Sequence, residues 1–469
     1  DELVTAVSGD AASPAVSETI YRQSEGNPLF AGELARLLAA NGTSADTGRA
    51  GVGDLPLSPK IRDIVGRRAA RVSPDCRALL EVAAVAGRSF SVRLLQTATG
   101  SDLDSLLASL EEALQGRLIE GDGAPGRLRF AHPLIRQVLA DDLGEVRRLA
   151  LHSKIANALE CSGDSEDRIA EIAYHYAQSA ALGDAGKALD YARRAGESAM
   201  ARWGFEDAAG QFSRAVDLLP LADLDARSRR EAAVELRESA GDALLLGAHP
   251  LEAVASYQQA LPLLPAGSEL VRARLHRKTG NAWQAEQRPD PALECFEVAE
   301  HALSAPPGER DLDTRQEWIE IQLGRMDAYY FKADLPRLAA AIGATEEVVS
   351  RSGTSEQQTR WAALRLSLSF RMERYVVSPE TVEEARRQWL QSQESGSPRQ
   401  QCNAEFSLAF AQLWNGRVGE AGSHLLSCEE AAQSLHDRRL QVLVSTYLAV
   451  AARVRGDVKE TERWASTAI

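Results

Sequence analysis

No Gly-x-x-x-x-Gly-Lys-Ser/Thr phosphate loop occurs anywhere in the 469 residues. The nearest string, "GDAGKALD" at 183–190, has neither the spacing nor the hydroxyl, and it heads a helical pattern. There is also no hydrophobic strand ending in an acidic pair to hold Mg²⁺. The chain is therefore expected neither to bind ATP tightly nor to hydrolyse it, and no catalysis is assigned to it. Cysteine is scarce: Cys76, Cys161, Cys295, Cys402 and Cys428 are odd in number and far apart. They read as small buried hydrophobes of a reducing, cytoplasmic protein rather than as a disulfide framework. No apolar run approaches the length of a membrane span, and no signal-peptide pattern opens the chain. Basic clusters are missing too. A net charge of −14 argues against a general nucleic-acid binder, which needs grouped Lys and Arg to neutralise phosphates. Apart from His132, the histidines (152, 175, 249, 276, 301, 424, 436) show no paired spacing with Cys or carboxylates, so no metal site is expected. No Ser–His–Asp or Cys–His grouping emerges either.

With aromatics at 6% and Ala, Leu, Arg and Glu dominant, the chain should be helical almost throughout. Its length suggests two to four domains. Asp1 opens without Met and "ETERWASTAI" stops inside a helical pattern, so a piece of a longer protein is expected.

Three zones follow one another. In residues 1–45, two short helices flank "EGNPLF" (25–30), where Gly26 supplies a turn and Pro28 opens the second helix. Phe30, Leu34, Leu37 and Leu38 share one face of that helix. A polar, Gly-rich link leads to residues 55–145. There Ser58–Pro59 and Ser73–Pro74 each signal an N-cap with Pro at the first position, and Gly87 is a candidate C-cap. Two further helices, "VRLLQTAT" and "DLDSLLASLEEALQ", precede two alternating runs around the turn "GDGAPG", which read as a β-hairpin. Helices followed by a two-stranded wing make a winged-helix arrangement. Its would-be DNA-reading helix carries Asp102, Asp104, Glu111 and Glu112 and no Lys or Arg, so it would repel phosphates. Packing is the expected role.

From residue 146 to the end the sequence repeats itself. Gly196, Ala208, Phe212, Ala215 and Pro220 recur as Gly241, Ala253, Tyr257, Ala260 and Pro265, and again as Gly280, Ala292, Phe296 and Ala299. These best units lie at about 189–222, 234–267 and 273–306. The offsets resemble the tetratricopeptide repeat (TPR): Gly and Ala let two helices approach, and the aromatic fills the gap. Later stretches, "LGRMDAYYFKADLPRLAAAIGA" among them, keep the helix-pair rhythm without the full signature. Stacked pairs should form a solenoid whose concave face takes a protein or peptide. Truncating Phe212 to Ala should cost on the order of 3–5 kcal/mol. Tyr174 and Tyr176 are expected in the core. "RSRREAAVELRES" (227–239) reads as a solvated helix face with acid–base pairs at i, i+4.

Taken in order, "SEGNPLFAGELARLL", "LPLSPKIRDIVGRR", "LLEVAAVAGRSF", "RFAHPLIRQVLADDL" and the repeats make the chain similar to the C-terminal two-thirds of a STAND-type signalling ATPase. That family includes large LuxR-type and MalT-like regulators and ATPase modules behind class III adenylyl cyclase or kinase domains. The resemblance implies a lid in which Pro28 packs on adenine, and His132 as a contact to the β-phosphate of ADP. Pro133 stands where the family phrase has Asp, so that residue's hydrogen bonds are missing. A structural histidine between Phe130 and Leu134 is the other reading of His132. ATP or ADP would belong to the full-length parent, not to this piece.

The expected fold is predominantly all-α: a short helical lid remnant (1–45), a winged-helix domain with a small β-hairpin (55–145), and a TPR-like α-solenoid (146–469). The expected function is regulatory: the solenoid senses a protein, a peptide or a small-molecule inducer, and the lid–winged-helix pair forms a nucleotide-switch element. Nucleic acid and membrane are not expected partners. The alternatives are the regulatory tail of a cyclase or kinase, a transcription factor whose DNA-binding part lies beyond Ile469, and a stand-alone TPR scaffold.

Overall fold

The computed structural model describes residues 69, 71–162, 167–303, 311–374, 376–395, 397–435 and 437–468. The lid remnant expected at 1–45, Pro28 within it, the helix opening at Ser58, and His436 lie outside the described residues. The described chain contains twenty α-helices and one small sheet, and it forms a TPR-like helical solenoid preceded by a small α/β arrangement. The described residues divide into two compact units, those up to 202 with 211–225, and 203–210 with those from 226 onward.

The first unit opens with α1 (Pro74–Ala86), β1 (Ser89–Ser91), α2 (Val92–Thr99) and α3 (Leu103–Gln115). Then come β2 (Ile119–Gly121), β3 (Arg127–Phe130) and α4 (Pro133–Asp141). Ser73 caps α1 by accepting the Cys76 N–H at 3.2 Å, and Gly87 ends it with φ 138°. Strands β2 and β3 pair antiparallel around the expected turn, with Ile119 opposite Phe130. Sequence reading did not anticipate β1. It adds to the other side of β3, giving the order β1-β3-β2. The pairing places Phe90 edge-on to Phe130, ring centroids 5.5 Å apart, in a core with Leu80, Leu95, Leu106 and Leu118.

Helices α5 (Glu145–Glu160), α6 (Ile169–Ser179) and α7 (Ala185–Ala201) continue this unit, and α8 (Phe205–Leu218) follows. Glu160 ties three of them together. It accepts hydrogen bonds from Tyr176 Oη of α6 and from Lys187 Nζ (2.7 Å) and Tyr191 Oη (3.1 Å) of α7. Tyr176 is in the core as expected, but Tyr174, two positions earlier and so facing away, is 46% exposed. Cys161 is also exposed, at the C-cap of α5, while Cys76, Cys402 and Cys428 are buried.

The second unit is a run of helix pairs. They are α9 (Ala226–Leu246) with α10 (Pro250–Ala260), α11 (Glu269–Ala285) with α12 (Pro289–Ala302), and α13 (Leu312–Phe331) with α14 (Leu335–Ser352). After them come α15 (Ser355–Met372) with α16 (Pro379–Ser395), α17 (Pro398–Trp414) with α18 (Val418–Ser434), and α19 (Arg438–Val454) with α20 (Val458–Thr467). The glycine–aromatic rule holds at each of its three occurrences. A Cβ placed on Gly196, Gly241 or Gly280 would lie 2.6, 2.4 or 2.7 Å from the ring of Phe212, Tyr257 or Phe296. The glycine is required because the ring occupies the space a side chain would need.

A second mark of the repeat is conformational. The corner between the helices of successive pairs, from α7–α8 onward, holds a left-handed residue. These are Trp203, Ala248, Gln287, Ala333, Arg374, Gly416 and Gly456, with φ between 52° and 90°. Counted from that corner, the faded units fall into register. Leu338, Ile342 and Thr345, and likewise Ala421, Leu425 and Cys428, occupy the positions held elsewhere by Ala, an aromatic and Ala, and all six are buried.

Candidate functional site

The first helices of successive pairs in the second unit are joined side by side by charge. On α9, Glu238 receives Arg274 of α11 through two nitrogens, at 2.8 and 3.0 Å, and Lys278 at 2.7 Å. Asp242 takes Lys278 at 2.6 Å and the Tyr257 hydroxyl at 2.8 Å. Burial works against the Glu238 carboxylate, yet Lys278 and Arg274 hold its pKa below the usual range. The stretch 227–239 is thus only partly the solvated face expected of it. Arg227 and Glu231 do pair at i, i+4 in solvent, but Glu238 is turned inward to bind α11. One step on, Arg277 of α11 forks onto Glu317 of α13 at 2.6 and 3.2 Å, with both side chains about nine-tenths buried. Next, Arg360 of α15 reaches Glu320 at 3.3 Å and Asp327, both on α13. The sign alternates from helix to helix: acidic α9, basic α11, acidic α13, basic α15.

The last rung borders a cavity of about 980 Å³ lined by α15, α16 and α17. Ser355, Thr359 and Ala363 line it from one face of α15, spaced four apart. Gln388 and Gln391 come from α16, and Gln400, Asn403 and Ser407 from one face of α17. The apolar lining is alanine alone: Ala362, Ala363 and Ala404. Arg360 and Arg399 bring positive charge and Glu356 negative. Arg399 is held by Asp437 at the head of α19, 3.0 Å away. Such a wall offers carboxamide donors and acceptors at intervals that suit a polar chain lying along it, and its small floor admits a backbone closely. The volume stands at the upper end of small-ligand pockets, about 300–1,000 Å³.

His132 is the N-cap of α4. Its Nδ1 accepts the Leu134 N–H at 3.2 Å, and the ring is 6% exposed. Because Nδ1 accepts, the proton of the neutral ring sits on Nε2. His132 thus caps α4 through Nδ1. Its partner in the expected nucleotide contact, Pro28, lies outside the described residues.

Sequence reading missed a histidine pair. His152 of α5 and His175 of α6 meet Nδ1 to Nδ1 at 2.9 Å, both buried, with the Tyr174 ring edge-on to each. One tautomer donates and the other accepts. Burial lowers both pKa values to about 4, aided for His152 by its neighbour His175 and by Arg148, and for His175 by Arg168. Among the described residues no group of three or more His, Cys, Asp or Glu is arranged to hold a metal ion. None of the described helices is long and apolar enough to cross a membrane.

No family model and no curated protein matches the chain. Solved structures do. A STAND protein with a tetratricopeptide repeat sensor from Pyrococcus horikoshii is 13% identical, with a TM-score of 0.42 over 99% of this chain and 64% of that one. The chain therefore spans slightly less than two thirds of that protein's length. The Rap conjugation gene regulator of the plasmid pLS20, in complex with the Phr* peptide, is 12% identical, with a TM-score of 0.43 over 57% of this chain and 80% of that one. The apo form of RapI is 8% identical, with a TM-score of 0.41 over 62% and 93%.

Proposed function

We propose that the chain is the non-catalytic regulatory and protein-interaction region of a multidomain STAND-type signalling protein, with its helical pairs as the platform for a peptide or protein partner. The observation that carries this reading is the carboxamide-lined groove of α15–α17. It is built on first helices already locked to one another by paired charges. The order α1-β1-α2-α3 followed by the β2–β3 hairpin supports a winged helix in the first unit. Its α3 carries exposed Leu103, Leu107 and Leu114 among carboxylates, a surface suited to packing and not to phosphates.

In this reading the first unit, together with the lid, reports the nucleotide state of a P-loop domain in the parent. His132 stands at the N-terminus of α4, where the helix dipole favours an anion, and is the residue of this chain assigned to the phosphate. Two experiments test the two halves. Selecting peptides from a phage-displayed random library should enrich clones that bind the chain but not Asn403→Trp, which fills the groove. Clones indifferent to that substitution would remove the groove. In the P-loop-bearing parent, ADP titrated calorimetrically should bind more weakly to His132→Ala, and equal affinities would eliminate the switch role.

A further inference from the structure

Resting on the partner-groove reading, we propose that the groove of α15–α17 selects an anionic chain, and that seating it loosens the ties of these helices to the pairs that precede and follow them. The chemistry of the lining sets the ligand class. Its apolar side chains stop at alanine, so no pocket exists for a large apolar anchor of the kind that dominates most interfaces. Affinity has to come from hydrogen bonds to carboxamides and from charge. The two guanidinium groups, Arg360 and Arg399, outnumber the single carboxylate, Glu356. Guanidinium recognises carboxylate through paired N–H donors, so the fitting occupant is an acidic peptide segment.

The same two arginines are the tethers. Arg360 holds Glu320 and Asp327 of α13, in the preceding pair, and Arg399 holds Asp437 at the start of α19, in the following pair. Asp327 forms no other ion pair or side-chain hydrogen bond among the described residues. The side chains of Arg360 and Arg399 are 38% and 67% exposed, so each faces the groove while bound behind. A carboxylate entering the groove competes with these partners for the same N–H groups. What the ligand gains, the tethers lose. Occupancy is thereby registered on α13 and α19, one pair to either side, without any change inside α15–α17.

Calorimetry of the full chain with a capped Gly-Glu repeat peptide, and with its Gly-Gln and Gly-Lys counterparts, tests the ligand class. The Glu peptide should bind about tenfold or more tighter than the Gln peptide, the Lys peptide should not bind, and the preference should shrink with salt. Arg399→Gln, at an exposed site, should erase most of that preference without loss of fold. Asp327→Asn should tighten binding severalfold by leaving Arg360 held on α13 by Glu320 alone. Hydrogen exchange should quicken in α13 and at the start of α19 when the Glu peptide is bound, and the response in α13 should shrink in Asp327→Asn, where only Glu320 still ties Arg360 to that helix. Equal binding of the Glu and Gln peptides, both abolished by Asn403→Trp, overturns the charge selection and leaves the partner groove standing. Failure of all three peptides, together with library clones indifferent to Asn403→Trp, removes the groove itself. Preferential Glu binding with unchanged exchange in α13 and α19 refutes the tether mechanism.

Discussion

Gly280→Ala is the sharpest test of how the helical pairs are held. A Cβ at this position would sit 2.7, 2.9 and 3.0 Å from Cε1, Cζ and Cδ1 of Phe296. The ring cannot retreat. It is fully buried, and the same Cε1–Cζ end is also against Gly324 of α13, where an added Cβ would lie 2.6 Å from Cζ. Two glycines from successive pairs therefore clamp one ring. Alanine in mid-helix is otherwise favourable over glycine by about 1 kcal/mol, while forcing extra volume into a filled core costs about 1–3 kcal/mol. With no room on either side the upper end of that cost applies, and the net effect should be a loss of about 2 kcal/mol. In a Phe296→Ala background, itself costing about 3–5 kcal/mol, the clash is gone. There Gly280→Ala should stabilise by about 1 kcal/mol, so the pair should show a coupling of about 3 kcal/mol. Urea unfolding of the four proteins of the cycle, read together with hydrogen exchange in α11, measures it. If Gly280→Ala stabilises the parent chain, or if the two substitutions add, the ring does not lie on the glycine and the account of the repeat collapses.

Three further outcomes follow from the geometry. At the corners, left-handed Ala333 (φ 57°) and Ala248 (φ 63°) strain a Cβ, so Ala→Gly at either site should raise stability by about 0.5–1 kcal/mol in denaturant titration, whereas Gly416→Ala should lower it. Arg277→Met strands the Glu317 carboxylate and should cost about 3–5 kcal/mol, while Arg277→Met with Glu317→Leu should recover most of the loss, as thermal unfolding would show. The buried histidines bind fewer protons folded than unfolded between their ordinary pKa of 6.5 and about 4, so stability should fall as pH drops through that window and level off below it. Each histidine's share is on the order of 3 kcal/mol, and the pH profile of the His152→Leu, His175→Leu double variant should be flatter by about twice that; superimposable profiles would contradict neutral burial.

What was legible in the sequence is what a local rule encodes. Gly, Ala, aromatic and Ala at fixed offsets are visible because one ring resting on one glycine needs those residue types and no others. The later pairs solve the same packing with Leu338, Ile342 and Thr345, or with Ala421, Leu425 and Cys428, so the geometry persists while the letters do not. The β2–β3 hairpin showed itself through "GDGAPG", but β1 is three residues between helical patterns, and it becomes a strand only by pairing with Arg127–Arg129 far along the chain. The candidate site was harder still. His152 and His175 are 23 residues apart on separate helices, with no spacing that announces contact. The groove is assembled from serine, glutamine, asparagine and alanine on three helices, residues that at each single position read as ordinary solvated surface. Only the four-residue spacing of Ser355, Thr359 and Ala363 hinted at a smooth face, and it could not say that α17 would present a matching one. The ladder that underlies the groove shows why. Glu238, Arg274, Arg277, Glu317 and Arg360 each look like unremarkable charges of an amphipathic helix, and their sign acquires meaning only when stacking brings α9, α11, α13 and α15 side by side. Within a helix a charge is one of many on a wet face; between helices it fixes which neighbour it can accept, and a ligand that draws on Arg360 draws on that choice.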